Sequence, residues 1–175
     1  MKLNGKQLNA VKSKTLQVKL GGEEVGLVLK AIPPGFTEKM KLLGVYTFPE
    51  RPKRQKMIGA AIVKDRHGVP VEVDDKGTPA WEAYEKGVTV AVNRSMALTL
   101  AIGLRDSLLQ FDAVAPTTDT TDEWCKYADA LVSELNHPET GLTDAEQSYL
   151  IEQINQLDNR FDISKEAKSF LDQDA

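Results

Sequence analysis

Residues 88–111 read VTVAVNRSMALTLAIGLRDSLLQF, the longest apolar run in the chain, and the period of this run decides the fold. Val92, Met96, Leu100, Leu104 and Leu108 recur every four residues, with Ala97, Ala101 and Phe111 beside them, so a helix accounts for the pattern better than a strand. Such a helix over 90–111 is about 33 Å long at 1.5 Å per residue and serves as the spine of a small domain. Leu98 and Ile102 fall off the main stripe, so the helix is apolar on more than one side. A membrane span is excluded because Asn93 and Arg94 interrupt the run and Arg105 and Asp106 close it, where about 20 uncharged residues are needed.

Upstream of the run the pattern is that of strands. Leu16, Val18 and Leu20 alternate with polar residues, Gly21 and Gly22 mark a turn, and VGLVLKAI resumes the apolar pattern until Pro33 and Pro34 stop it, which describes a β-hairpin. FTEKMKLLG reads as a short helix stopped by Gly44. A second hairpin is expected with IGAAIVK and VPVEV flanking a DRHG turn, its second strand half-exposed at an edge. Thr78 then caps a helix that begins at Pro79, carries Trp81 and Tyr84, and is broken by Gly87 before the central run.

Downstream the pattern is helical. Thr120 with Glu123 and Thr143 with Glu146 stand at capping-box spacing and open amphipathic helices over 121–136 and 144–157, and a last short helix is expected over 164–171. Strands first and helices later define an α+β fold: small N-terminal β-hairpin elements, then a mainly helical C-terminal half. The expected organisation is a flexible basic arm over 1–13, an α+β domain over 14–112 holding both hairpins and the central helix, and an acidic helical subdomain over 113–175.

The net charge of −4 over 175 residues conceals a strong division. Residues 1–56 hold 12 Lys/Arg and 4 Asp/Glu, whereas 113–175 hold 4 and 14. Opposite ends invite attraction, within one molecule or head to tail between copies. The amino-terminal residues lack the apolar segment of a secretory signal and Cys125 is the single cysteine, so a reducing, cytoplasmic setting is expected.

No residue set has the spacing of a catalytic centre, a metal site or a phosphate loop, so no nucleophile, metal or cofactor is assigned. His67 reads as part of a solvated turn, His137 as a helix end before Pro138, and Cys125 as a buried thiol. Two surfaces remain. Arg51, Lys53, Arg54 and Lys56 lie in YTFPERPKRQK (46–56), read as an exposed basic loop with Tyr46 and Phe48 nearby for stacking on bases. Trp124, Tyr127, Leu150 and Ile154 lie on the apolar sides of the two acidic helices, and these residues are the candidate partner-binding positions.

The order of elements, from LVLKAIPPGFTEKM through IVKDRHGVPVEV to LTDAEQSYLIEQINQLDN, resembles that of the tail assembly chaperones of long-tailed bacteriophages. The resemblance implies a non-enzymatic helper in the host cell cytoplasm that binds the tape measure protein and assists tail tube assembly, without cofactors and without a membrane. The basic arm and the PERPKRQK loop have no counterpart in it. Two alternatives stand beside this expectation: a structural virion subunit of the tail or head-tail connector, and a nucleic-acid-binding accessory protein using loop 46–56. Nucleic acid is the weaker of these because the chain as a whole is acidic.

Overall fold

The computed structural model describes residues 2–3, 6–7 and 13–157. Most of the amino-terminal arm and the helix expected over 164–171 lie outside these residues. The architecture is α+β: antiparallel hairpin elements first, then a mostly helical half. In chain order the elements are β1 (Lys2–Leu3), β2 (Lys6–Gln7), β3 (Ser13–Leu20), β4 (Glu23–Lys30), α1 (Phe36–Leu42), β5 (Lys53–Gln55), β6 (Met57–Ile58), β7 (Ala61–Ile62), β8 (Glu72–Asp74), α2 (Pro79–Gly103), α3 (Thr121–Leu135) and α4 (Asp144–Leu157). Where the arm shows no period in sequence, β1 and β2 pair antiparallel. No helix of the described residues is long and apolar enough to cross a membrane.

The chain separates into two compact units, one of Met1–Val45 with Arg94–Ala175 and one of Tyr46–Asn93. The boundaries therefore fall at 45/46 and 93/94 rather than at 13/14 and 112/113. The reason is contact: α4 packs on β3 and β4, which ties the acidic helices to the first hairpin.

In the first unit, β3 and β4 pair over their whole length, from Ser13 opposite Lys30 to Leu20 opposite Glu23. Val18, Leu27 and Leu29 turn inward from this hairpin, and the core continues through Met40, Val45, Leu100, Leu104, Leu131, Leu150 and Ile154. Burying each such side chain contributes about 1.5–3 kcal/mol of transfer free energy. Thr120 caps α3, accepting from the Glu123 N–H at 3.4 Å, while the Glu123 carboxylate accepts from the Thr118 hydroxyl instead of closing the box.

The second capping box is complete. Thr143 Oγ1 accepts from the Glu146 N–H at 3.3 Å, and the Glu146 carboxylate accepts from the Thr143 N–H at 2.8 Å and its hydroxyl at 2.7 Å. The same carboxylate also accepts from Gly21 N–H at 3.2 Å, pinning the β3–β4 turn to the start of α4. The Thr143 hydroxyl first, then the Thr143 and Gly21 N–H groups, hold Glu146 below the ordinary value of 4.5. A depressed folded-state value adds stability above the unfolded value, and that increment is lost as pH falls through the folded one. Glu146→Gln, which keeps an acceptor but no charge, is thus expected to melt below wild type at pH 7, with the gap closing as the pH drops beneath 4.5. Thermal melts across pH that run parallel for the two proteins would refute the assignment.

α2 corrects three expectations. It runs unbroken through Gly87, because a helix tolerates one glycine at about 1 kcal/mol and the position is needed for packing: a Cβ there would lie 2.9 Å from Cγ of Pro49. It ends at Gly103 rather than 111, because the following residues bond to β4, where Lys30 pairs with Asp106 and the Val28 N–H donates to Ser107 Oγ at 3.4 Å. Leu108, beyond the end, is left exposed, and Val92 at the other end of the expected stripe is exposed too. The buried positions are instead Ala97, Leu98, Leu100, Ala101 and Leu104, together with Ala91.

In the second unit the expected hairpin is a three-way β junction. β5 pairs with β8 and β6 with β7. At the centre, the Lys56 N–H donates to Val71 O at 2.7 Å, the Val63 N–H to Lys56 O at 2.9 Å, and the Val71 N–H to Val63 O at 2.9 Å. The DRHG turn is closed by Asp65, whose Oδ1 accepts from the His67 N–H at 2.8 Å and the Val69 N–H at 2.9 Å. Thr78 caps α2 as expected, accepting from the Trp81 N–H at 3.2 Å.

Candidate functional site

The four cations of segment 46–56 are not on a free loop. Lys53 and Arg54 lie in β5, and the register sets them against acidic β8, with Lys53 opposite Asp74 and Gln55 opposite Glu72. Three ion pairs result: Arg51 with Asp74 at 3.6 Å, Lys53 with Glu72 at 3.4 Å and Arg54 with Asp75 at 3.4 Å. Exposed pairs of this kind add only about 0–1 kcal/mol each, but they offset the charge that a phosphate backbone would need. Lys56 and Lys64 make no ion pair among the described residues. Tyr46 is buried and withdrawn from any stacking role, while Phe48 is exposed. Arg51 lies 6.0 Å from the Tyr84 ring centroid, and its hydrogen bond to the Tyr84 phenol, then the Asp74 carboxylate, hold the guanidinium above its ordinary value. The Trp81 and Tyr84 rings meet at 5.1 Å, tilted by 44°, with Lys76 over the indole. A groove of about 500 Å³ beside them is lined by Arg51, Lys76, Asp74 and Glu85, two charges of each sign.

The four expected partner-binding positions separate. Leu150 and Ile154 are 0% exposed, so both belong to the core and neither is available to a partner, which corrects the expectation. The amphipathic stripe of α4 is consumed by β3 and β4. Trp124 is used mostly inside the unit: its ring meets Phe36 edge-on at 5.9 Å and Tyr127 at 6.0 Å, and its Nε1–H donates to Asp119 at 3.4 Å. Lys39 sits over the same ring and pairs with Asp119, whose carboxyl is lowered first by that hydrogen bond. Of the four, Tyr127 lines a groove open to solvent. With Val114, Ala115, Pro116 and Ala130 it walls an apolar groove of about 380 Å³ beside Glu123 and Lys126. Burial first, then the Glu134 charge, raises its phenol above 10.0.

Two residues that pattern reading left without a role hold the first unit together. Arg94 grips Asp129 with two bonds, Nε to Oδ1 at 2.6 Å and Nη2 to Oδ2 at 2.7 Å, and its Nη1 donates to Val45 O at 3.2 Å. Cys125 Sγ lies 3.2 Å from the same Nη1, half-buried rather than fully covered. The signal was present: a cation inside an apolar helix demands a paired acceptor. Gln147, buried, reaches Leu135 O at 3.3 Å, Asn136 Oδ1 at 3.1 Å and Leu142 O at 2.9 Å across the α3–α4 connection. His67 is exposed in its turn, and His137 Nδ1 meets the Thr140 hydroxyl at 3.0 Å in the turn after α3. Among the described residues no three His, Cys, Asp or Glu side chains stand close enough to hold a metal ion.

No family model, no curated protein and no solved structure matches the chain.

Proposed function

We propose that this protein is a non-enzymatic assembly factor acting through protein contacts, and most specifically a tail assembly chaperone that binds a tape measure protein. One observation carries the reading: apolar surface stays open in both units while three of the four cations of the basic segment are matched by carboxylates of and beside β8. Met57, Ile58, Ile62 and Val69 are exposed on the β junction, and Val114 is exposed at the groove beside Tyr127. Apolar clusters rimmed by charge suit reversible contact with another protein. Ion-paired Arg51, Lys53 and Arg54 speak against the alternative of a nucleic-acid accessory, which needs cations free to replace counterions.

The test is co-expression with a phage tape measure protein, taken from the coding region immediately downstream if that region encodes a long helical protein. The expected result is a soluble complex that co-purifies, and that weakens when Ile58→Asp and Ala130→Arg are introduced together. A tape measure protein that stays insoluble and unbound overturns the reading. Retention of double-stranded DNA at about 0.15 M salt, weakening steeply as salt rises, would favour the accessory protein instead.

A further inference from the structure

We propose that the β6–β7 hairpin is a wedge that enters the headgroup region of an anionic lipid surface. The inference goes beyond the assembly reading, and it involves no span, since no helix of the described residues is long and apolar enough to cross a membrane.

Residues 57–63 read MIGAAIV, a run without a polar side chain. β6 and β7 pair Met57 with Ile62 and Ile58 with Ala61 across a two-residue connection, and every residue from Lys53 to Ile62 is exposed. Neighbours along a strand point to opposite faces, so Met57 and Ile62 form one face and Ile58 and Ala61 the other. Met57 is 56% exposed and Ile58 71%, so both faces are apolar and both are open. A hairpin that docks by one face alternates apolar with polar residues. This one changes character along its length instead. The Val63 N–H donates to Lys56 O at 2.9 Å, which puts Lys56 on the rung behind the apolar pairs, and Lys64 follows Val63 in the chain. Continuing the alternation, Lys56 stands at the base of the Ile58 face and Lys64 at the base of the Ile62 face. An apolar tip with a cation at the foot of each face matches a medium that surrounds the tip and carries its charge in a plane, which is a lipid surface rather than a groove.

The charge argument rests on those two lysines alone. Arg51, Lys53 and Arg54 are matched by Asp74, Glu72 and Asp75, whereas Lys56 and Lys64 make no ion pair among the described residues. A lysine held near an anionic bilayer strengthens binding about fivefold. From Lys56 to Gly59 at the tip the chain climbs about 10 Å at 3.3 Å per residue, the depth at which an interfacial element reaches the acyl boundary. Entry stops there, because β6 and β7 form a two-stranded sheet whose outer N–H and C=O groups need water.

The test uses the purified full chain and unilamellar vesicles. Co-sedimentation at about 0.15 M salt should show binding to vesicles of phosphatidylcholine with phosphatidylglycerol, at least about tenfold tighter than to phosphatidylcholine alone. Ile58→Asp, at an exposed position, should keep the wild-type melting curve and lose at least about tenfold in vesicle affinity. Lys56→Gln combined with Lys64→Gln should lose about 25-fold on the anionic vesicles. Ile58→Trp supplies a reporter whose emission, taken as the difference from wild type, should shift to the blue when anionic vesicles are added. Anionic vesicles that stay unbound overturn the proposal, as do equal binding to neutral vesicles and unchanged binding by Ile58→Asp. If vesicles stay unbound while Ile58→Asp alone abolishes capture of the tape measure protein, the hairpin serves a protein partner, which also overturns it. Capture is measured separately and without vesicles, so either idea can fail without the other.

Discussion

Gly141→Ala is expected to destabilise the first unit by about 3 kcal/mol or more, because the added methyl has nowhere to go. A Cβ built on Gly141 lies 2.3 Å from Leu135 O, 2.6 Å from His137 O and 2.7 Å from His137 N, and all three are backbone atoms. They cannot rotate away as a side chain would. The turn can open only by giving up the Gly141 N–H to His137 O bond and the Leu142 N–H to Leu135 O bond, both 2.9 Å. Opening it also strips Gln147 of the acceptors that satisfy its buried amide. The α3–α4 connection should then lose its geometry along with the packing of α4 on the hairpin. Urea unfolding followed by circular dichroism reads the effect directly. A midpoint within error of wild type would mean that the connection is looser than described.

The second large effect is at the end of α2, and it is a coupling. Gly103 faces Ile154 so closely that a Cβ would lie 2.3 Å from Cδ1, 2.7 Å from Cγ1 and 3.0 Å from Cγ2. Ile154 is fully buried, so its side chain cannot swing into solvent to relieve the overlap. Gly103→Ala is expected to cost about 2–3 kcal/mol, at the upper end of ordinary overpacking. Ile154→Val deletes the nearest carbon and alone should cost about 1 kcal/mol. The double variant should be more stable than the sum of the two losses predicts, by about 0.5–1 kcal/mol, since the methyl enters space that the valine vacates. The recovery is partial because Cγ1 and Cγ2 remain. Strict additivity in a double-mutant cycle would show that α2 and α4 relax independently at this crossing.

The strands and helices were mostly legible from local pattern. Alternation located β3 and β4, the double glycine located their turn, and threonines at capping spacing located the starts of α3 and α4. Each of these signals acts within a few residues, so the chain carries them without help from its fold. Segment 46–56 misled for the opposite reason. Prolines and clustered cations read as a loop, yet β8 lies 17 or more residues further on and supplies both the ladder bonds and the carboxylates that make β5 a strand. Leu150 and Ile154 misled in another way: an apolar stripe states that a face is covered, and never by what.

The sequence by itself determined the α+β order, the helix caps, the division of charge and the absence of a membrane-length apolar helix among the described residues. Those properties follow from composition and short-range spacing. Only the tertiary structure decided that α2 continues through Gly87, that the two units divide at 45/46 and 93/94, and that Arg94 belongs to Asp129. It also decided which apolar faces are spent. α4 spends its face on the first hairpin, whereas Ile58 and Val114 keep theirs exposed, because a face is covered only when an element distant in sequence arrives to cover it.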